Sequence, residues 1–175
     1  MNIRKEENKD YKEVFNLIEN AFKNEVYSDQ REQFLVERLR TSDAFIPELS
    51  LVAEIDGLIV GYILLTKIKI INNRSQAATS LALAPIAVLP KYQGKGIGGQ
   101  LIEAAHRKAK ELGFESVILL GHEKYYPKFG YRPAKKYDIQ LPFDVPDENC
   151  MLIELTENAL KNVKGTVEYP KEFYE

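Results

Sequence analysis

The chain has 175 residues, with 24 basic against 26 acidic side chains and a single cysteine. That length suits one domain with a substantial core, and the near balance of charge excludes wholesale attraction to nucleic acid or anionic membrane. Cys150, alone, excludes an intramolecular disulfide and a cysteine-based zinc site, and no apolar run reaches the ~18–20 residues of a membrane span. The opening MNIRKEENKDYKE is too polar for a signal peptide, so the expected setting is the cytoplasm and the expected organisation a single domain over residues 1–175. Internal repeats, low-complexity segments and linkers are absent from the sequence.

Ile3 to Lys5 reads as a short opening strand. An amphipathic helix follows from about Lys9 to Phe22, with Tyr11, Val14, Phe15, Ile18 and Phe22 on its apolar face. Lys23 to Ser28 is a polar loop of the kind that lines sites. A second helix is expected from about Gln30 to Arg40, with Asp29 and Glu32 as a capping box and Phe34, Leu35 and Leu39 on the buried side. Ser50 to Ile55 and Leu58 to Ile71 are strands around the hairpin signal Asp56-Gly57. Asn72-Asn73 turns the chain into a further strand that ends with the apolar run Leu81 to Val88. Pro85 cannot donate to a ladder, so it predicts a bulge or an unpaired edge.

The chain is organised around what comes next. Leu89 to Gln93 leads into four glycines within six residues, Gly94, Gly96, Gly98 and Gly99, and then a helix from about Ile97 to Leu112. Ile97, Leu101, Ile102, Ala105, Ala109 and Leu112 recur at the helical period, and Gly113 stands where a terminating glycine is expected. No carboxylate precedes Glu103 in this helix, while Lys91 and Lys95 flank its start. Free backbone N–H groups at an unneutralised helix N-terminus make an anion site. Ser116 to Leu120 is a second short apolar strand, which makes the strand–helix–strand unit a right-handed parallel crossover. Glu123 to Phe129 is expected to be a short helix ended by Gly130. Tyr131 to Pro133 opens a strand, Lys135 to Phe143 is loop or strand, Met151 to Leu155 and Thr166 to Tyr169 are strands, and Asn158 to Val163 is helical.

The glycine cluster fits two templates. Gly94, Gly96 and Gly99 satisfy the dinucleotide pattern GxGxxG, but five residues separate the strand from its first glycine, and an antiparallel meander precedes it. A nucleoside-triphosphate loop requires Ser or Thr after the lysine, and Gly96 follows Lys95. The second template, Gln/Arg-x-x-Gly-x-Gly/Ala, is met by Gln93, Gly96 and Gly98. With it, PIAVLPKYQGKGIGGQLIEAA and the downstream YYPKFGY resemble the GNAT superfamily of acetyl-CoA-dependent N-acyltransferases. The order of elements agrees from Ile3 to about Leu155, and the closing GTVEYPKEFYE is similar to the ends of small bacterial members.

The resemblance implies a mixed α/β (α+β) domain. Its sheet would be splayed and mostly antiparallel, with a parallel pair at the centre and helices on its flanks. Acetyl-CoA, the co-substrate, would enter the splay. Backbone of Ile86, Ala87 and Val88 would pair with the pantetheine amides, and the segment Gln93, Gly94, Lys95, Gly96, Ile97, Gly98 and Gly99 would hold the diphosphate. A backbone N–H around Ala87 or Val88 would receive the oxyanion, and Pro85 would sit at the bulge that opens the sheet. The leaving-group acid would be Tyr126, four residues before Gly130, with Tyr125 packing beside it.

The base is not singled out: Glu25, Glu54, Glu123 and His122 are candidates. His106, among polar neighbours, reads as exposed, and Cys150 as a buried small side chain. The implied activity is direct acetyl transfer to a primary amine, on a small molecule or a protein, without nucleic acid, membrane or metal. A homodimer is compatible with the family. The other function classes are a non-catalytic acyl-CoA-binding or sensor module and, behind it, a dinucleotide-binding domain.

Overall fold

A computed structural model describes residues 1–175. Its core is one nine-stranded sheet. Strands β1 (Asn2–Lys5), β2 (Ser50–Ile55), β3 (Leu58–Ile71) and β4 (Ala77–Val88) form an antiparallel meander, and β5 (Ser116–Leu120) joins β4 in parallel. Beyond β5 lie β8 (Cys150–Glu154) and the two-residue β6 (Arg132–Pro133), while β9 (Gly165–Glu168) pairs with β3 and with β7 (Ile139–Gln140). The hairpin at Asp56-Gly57 is tight because both residues hold a positive φ, 51° and 80°.

Helix α1 (Tyr11–Phe22) and helix α2 (Glu32–Leu39) cover one face of the meander, where Val14, Leu17, Ile18, Val36 and Leu39 pack on Val52, Tyr62, Leu64 and Ala87. Helix α3 (Ile97–Glu111) covers the other, burying Ile97, Leu101, Ile102, Ala105 and Ala109 against Leu51, Ala53, Val60, Ile63, Leu65 and Leu81. The fold class is the expected mixed one, with the parallel β4–β5 pair at the middle of a mostly antiparallel sheet and a second, two-residue parallel pairing of β7 with β9.

Several local expectations are corrected. The second helix begins at Glu32, not Gln30, and has no capping box. Gln30 takes a φ of 60°, the Asp29 carboxylate accepts from Arg31 N–H, and the Ser28 hydroxyl donates to Glu32, so the cap residues are spent on the loop. The capping box present lies at Glu7 and Asp10, ahead of α1. Phe34 is 40% exposed; Gln33, Val36 and Leu39 form the buried side of α2. Residues 123–129 contain only a 3-10 turn at Tyr126–Phe129, with Pro127 in its first turn and Gly130 closing it at φ 98°, and residues 158–162 are turns.

A buried polar network ties α2 to the sheet. Glu6 is paired with Arg40 and accepts from Ser50 Oγ at 2.7 Å, and Ser50 Oγ lies 2.8 Å from Tyr62 Oη. The Arg40 guanidinium stacks 3.9 Å over the Tyr11 ring.

Candidate active site

Strands β4 and β5 pair at two positions, Leu81 with Val117 and Ala82 with Ile118, and then part. The parting begins where β4 carries an extra residue: Leu65 faces Leu83 and Ile63 faces Ile86, so Ala84-Pro85 forms a bulge. Proline, having no N–H to lose, sits there without cost to the ladder. Past the bulge, one edge of β4 has no strand partner. Leu89 N–H donates to Val60 O at 2.9 Å, and antiparallel bonding alternates with period two. Ala87 therefore turns its polar groups into β3, while Ile86 and Val88 turn theirs into the gap. The sequence grouped all three together; only Ile86 and Val88 present backbone to the cleft. Ala87 instead buries its methyl in the cluster beneath α1. Gln93 Nε2 donates to Val88 O at 3.0 Å, which leaves Val88 N–H and both polar groups of Ile86 facing the opening.

Leu89 to Gly96 folds back over the end of β4 and delivers α3 to the cleft mouth. Its amides from Gly94 to Gly99 donate to no protein acceptor, and the first turn carries no acidic side chain. Gly94 and Gly96 have φ of 73° and 80° with open space around them, so they are glycine for conformation. Gly98 and Gly99 have a different reason. A methyl at Gly98 would stand 3.0 Å from Tyr125 Oη, and one at Gly99 would stand 3.2 Å from Phe129 Cε1. At both positions the 125–129 segment lies against the first turn of α3, on a ring edge at Gly99 and only on the free end of a side chain at Gly98. Lys91 and Lys95 are exposed, and Lys128 Nζ lies 4.1 Å over the Tyr125 ring. None of the three is ion-paired.

Tyr126 is 8% exposed and lies in the core cluster beneath α3. Its ring meets Tyr125 edge-on at 5.0 Å and Tyr131 at 5.7 Å. Burial, with the neighbouring Tyr125 second, pushes its phenol up to about 12. The phenol is thus protonated across the physiological range. Burial likewise raises the phenols of Tyr125 and Tyr131.

His106 is not an exposed helix residue. Its Nε2 lies 2.8 Å from Tyr131 Oη, and burial pulls the imidazole down to about 4. It is neutral at pH 7. Cys150 is buried, as the sequence suggested. Of the base candidates, Glu54 is committed to Arg4 at 2.8 Å on the far edge of the sheet, and Glu25, His122 and Glu123 are exposed. Residues that sequence patterns missed are Gly121 and Asn149, which secure the end of β5. Gly121 N–H donates to Asn149 O at 2.9 Å, and Asn149 Nδ2 donates to Gly121 O at 3.0 Å.

The profile of the acetyltransferase (GNAT) domain family matches residues 47–133. The uncharacterized N-acetyltransferase YjhQ of Escherichia coli K12 is 35% identical over 127 residues, spanning 71% of this chain and 70% of its own. The uncharacterized N-acetyltransferase YhbS of the same strain is 30% identical over 148 residues, spanning 84% and 86%. The crystal structure of E. coli YhbS in complex with CoA superposes with a TM-score of 0.89 over 99% of this chain and 92% of that one, at 27% identity. A GNAT family acetyltransferase from Brucella melitensis in complex with acetyl-CoA gives 0.81 over 98% and 97%, at 31% identity.

Proposed function

Because the chain belongs to the GNAT acetyltransferase family, we propose that it moves the acetyl group of acetyl-CoA to a primary amine by direct attack in a ternary complex. The observation that carries this is the juxtaposition at the splay: an unpaired β4 edge, a row of free amides opening α3, and a buried, protonated phenol on the β5 side. Amides of Gly94 to Gly99 hold the diphosphate, with Gln93 bracing the loop through Val88 O. Ile86 and Val88 pair with the pantetheine in the manner of an added strand. Lys95 gives a solvated charge at the mouth, and Ile97 anchors the helix start in the core.

In the reaction the amine nitrogen bonds to the acetyl carbon while the carbonyl electron pair moves onto oxygen. Val88 N–H, the one unused donor at that point of β4, is suited to the oxyanion. Reforming the carbonyl breaks the C–S bond, and the thiolate takes its proton from Tyr126 Oη. The proton shed by the amine returns to the phenolate through solvent, so amine and acetyl-CoA become amide and CoA. With no side-chain base assigned, the amine enters unprotonated or loses its proton to water. The acceptor is a small-molecule or protein amine. Nine strands from residues 2 to 168 in one sheet support a single domain. A cytoplasmic setting and any homodimer belong to this proposal alone.

The test is binding followed by turnover. Acetyl-CoA at about 100 times its Kd should add about 2.7 kcal/mol of stability, a Tm rise of roughly 5–10 °C for this size, and NAD should add none. A panel of amines with a free-thiol readout separates an enzyme from a pure acyl-CoA binder, which would bind without releasing CoA. Tyr126→Phe should lower turnover by about 10²–10⁴ while the Kd for CoA changes little. Unchanged turnover removes Tyr126 from the chemistry.

A further inference from the structure

Tyr126 is held by its surroundings more tightly than burial alone requires. A methyl placed on Gly121 would stand 2.4 Å from Tyr126 Cε2, 3.0 Å from Cδ2 and 3.2 Å from Cζ, the carbon that bears the hydroxyl. The edge of the phenol therefore rests directly on the Gly121 backbone, at the end of the β5 arm. That backbone cannot slide away, because both its N–H and its C=O are tied to Asn149, at 2.9 and 3.0 Å. Across the ring, Tyr131 closes the other side edge-to-face, and Tyr131 is itself held by His106 Nε2 at 2.8 Å. Tyr125 meets the ring at 90°.

We infer that Gly121 and Asn149 are positioning residues: they form a fixed seat that sets where the Tyr126 hydroxyl stands in the cleft. This rests on the assignment of Tyr126 as the leaving-group acid. A buried phenol serves a thiolate only at hydrogen-bonding reach, and a displacement of about 1 Å costs an orienting group much of its effect. The seat supplies that placement without touching either substrate. Glycine at 121 is required by close approach, since φ there is ordinary; the backbone carbonyl of residue 149 accepts from Gly121 N–H, and the Asn149 side-chain amide adds the donor to Gly121 O.

The experiment uses the full chain with CoA as the probe. Crystal structures of the wild type, Gly121→Ala and Asn149→Ala with CoA report the distance from Tyr126 Oη to the thiol sulfur. Thiol release from acetyl-CoA reports turnover, with spermidine as the amine probe and acceptor-free hydrolysis as the substitute readout. In the wild type the hydroxyl should lie within hydrogen-bonding reach of the sulfur; a hydroxyl pointed elsewhere would defeat the acid assignment itself, whatever the seat does. Given that contact, Gly121→Ala should tilt the ring off the sulfur and lower kcat about tenfold, with KM for acetyl-CoA within twofold. Asn149→Ala, which removes one tie and introduces no clash, should show a smaller fall of the same kind and covers the case in which Gly121→Ala does not fold. The double variant Gly121→Ala/Tyr126→Phe should be no slower than Tyr126→Phe. An unmoved hydroxyl in both seat variants, or a double variant slowed by the product of the two single effects, overturns the inference and leaves the acid assignment standing.

Discussion

Alanine at Gly96 and alanine at Gly98 should push stability in opposite directions, although the two glycines stand two residues apart in the same motif. Gly96 has φ 80° and nothing within 4 Å of a built Cβ, so the penalty is conformational, roughly 1–2 kcal/mol for a left-handed L-residue. Gly98 is helical, and replacing Gly by Ala inside a helix gains about 0.8–1.0 kcal/mol. Against that gain stands a contact of 3.0 Å with Tyr125 Oη, the free end of a half-buried side chain that can rotate away. The new methyl also meets Ile86 and Val88 at 3.9 Å, ordinary van der Waals distance. Gly98→Ala should therefore be neutral to about 1 kcal/mol more stable, and Gly96→Ala about 1–2 kcal/mol less stable. At ~2–4 °C per kcal/mol for a chain of this size, the two melting temperatures should separate by roughly 2–12 °C. CoA titration by calorimetry should show the larger loss of affinity in Gly96→Ala, because relaxing φ there turns the neighbouring amides out of line, whereas the Gly98 methyl points at Tyr125. Urea unfolding with equal losses in both variants, or a Gly98→Ala variant destabilised by more than 1 kcal/mol, would refute the division of labour drawn among these glycines.

Arg40→Met should leave the Glu6 carboxylate buried with only Ser50 Oγ as a side-chain partner. Losing one member of a buried pair costs about 3–5 kcal/mol, a Tm fall of roughly 6–20 °C by calorimetry; a change under 2 °C would contradict it. His106 gives a pH signature. Its imidazole sits at about 4 in the folded chain against ~6.5 unfolded, so between those values the unfolded chain binds the extra proton. Stability then rises with pH through that window and is lost as pH falls from 6.5 to 4, by up to about 3 kcal/mol. His106→Phe should flatten that part of the urea-derived pH profile, and a profile parallel to the wild type would count against burial as the cause. Leu101, fully buried between α3 and the sheet, should cost about 2–5 kcal/mol when cut to alanine, with CoA affinity falling in step as α3 loosens.

Much of the fold was legible because its signals are local. The strands Ser50–Ile55, Leu58–Ile71 and Ser116–Leu120 have the limits their apolar runs suggested. Helix α3 begins at Ile97 and buries the residues that its period selected, apart from Leu112, which is 42% exposed beyond its end. The carboxylate-free helix start and the bulge at Pro85 follow from residue chemistry alone. Where local signals competed, they misled. Asp29 and Glu32 had the spacing of a cap but were drawn into the turn around Gln30, and the polar neighbours of His106 in the helix hid a partner, Tyr131, 25 residues further on.

Composition and periodicity, then, determined the kinds of element, their order, and the positive, unblocked opening of α3. Tertiary structure alone decided which backbone groups face the cleft, turning Ala87 into β3 and leaving Ile86 and Val88 to the gap. It also decided why four neighbouring glycines serve two purposes, and that Tyr126 rests on Gly121. The reason is range. Helix and strand preferences act over a few residues, whereas strand register, edge exposure and the close approach of a ring to a backbone are settled only when segments distant in sequence compete for the same space.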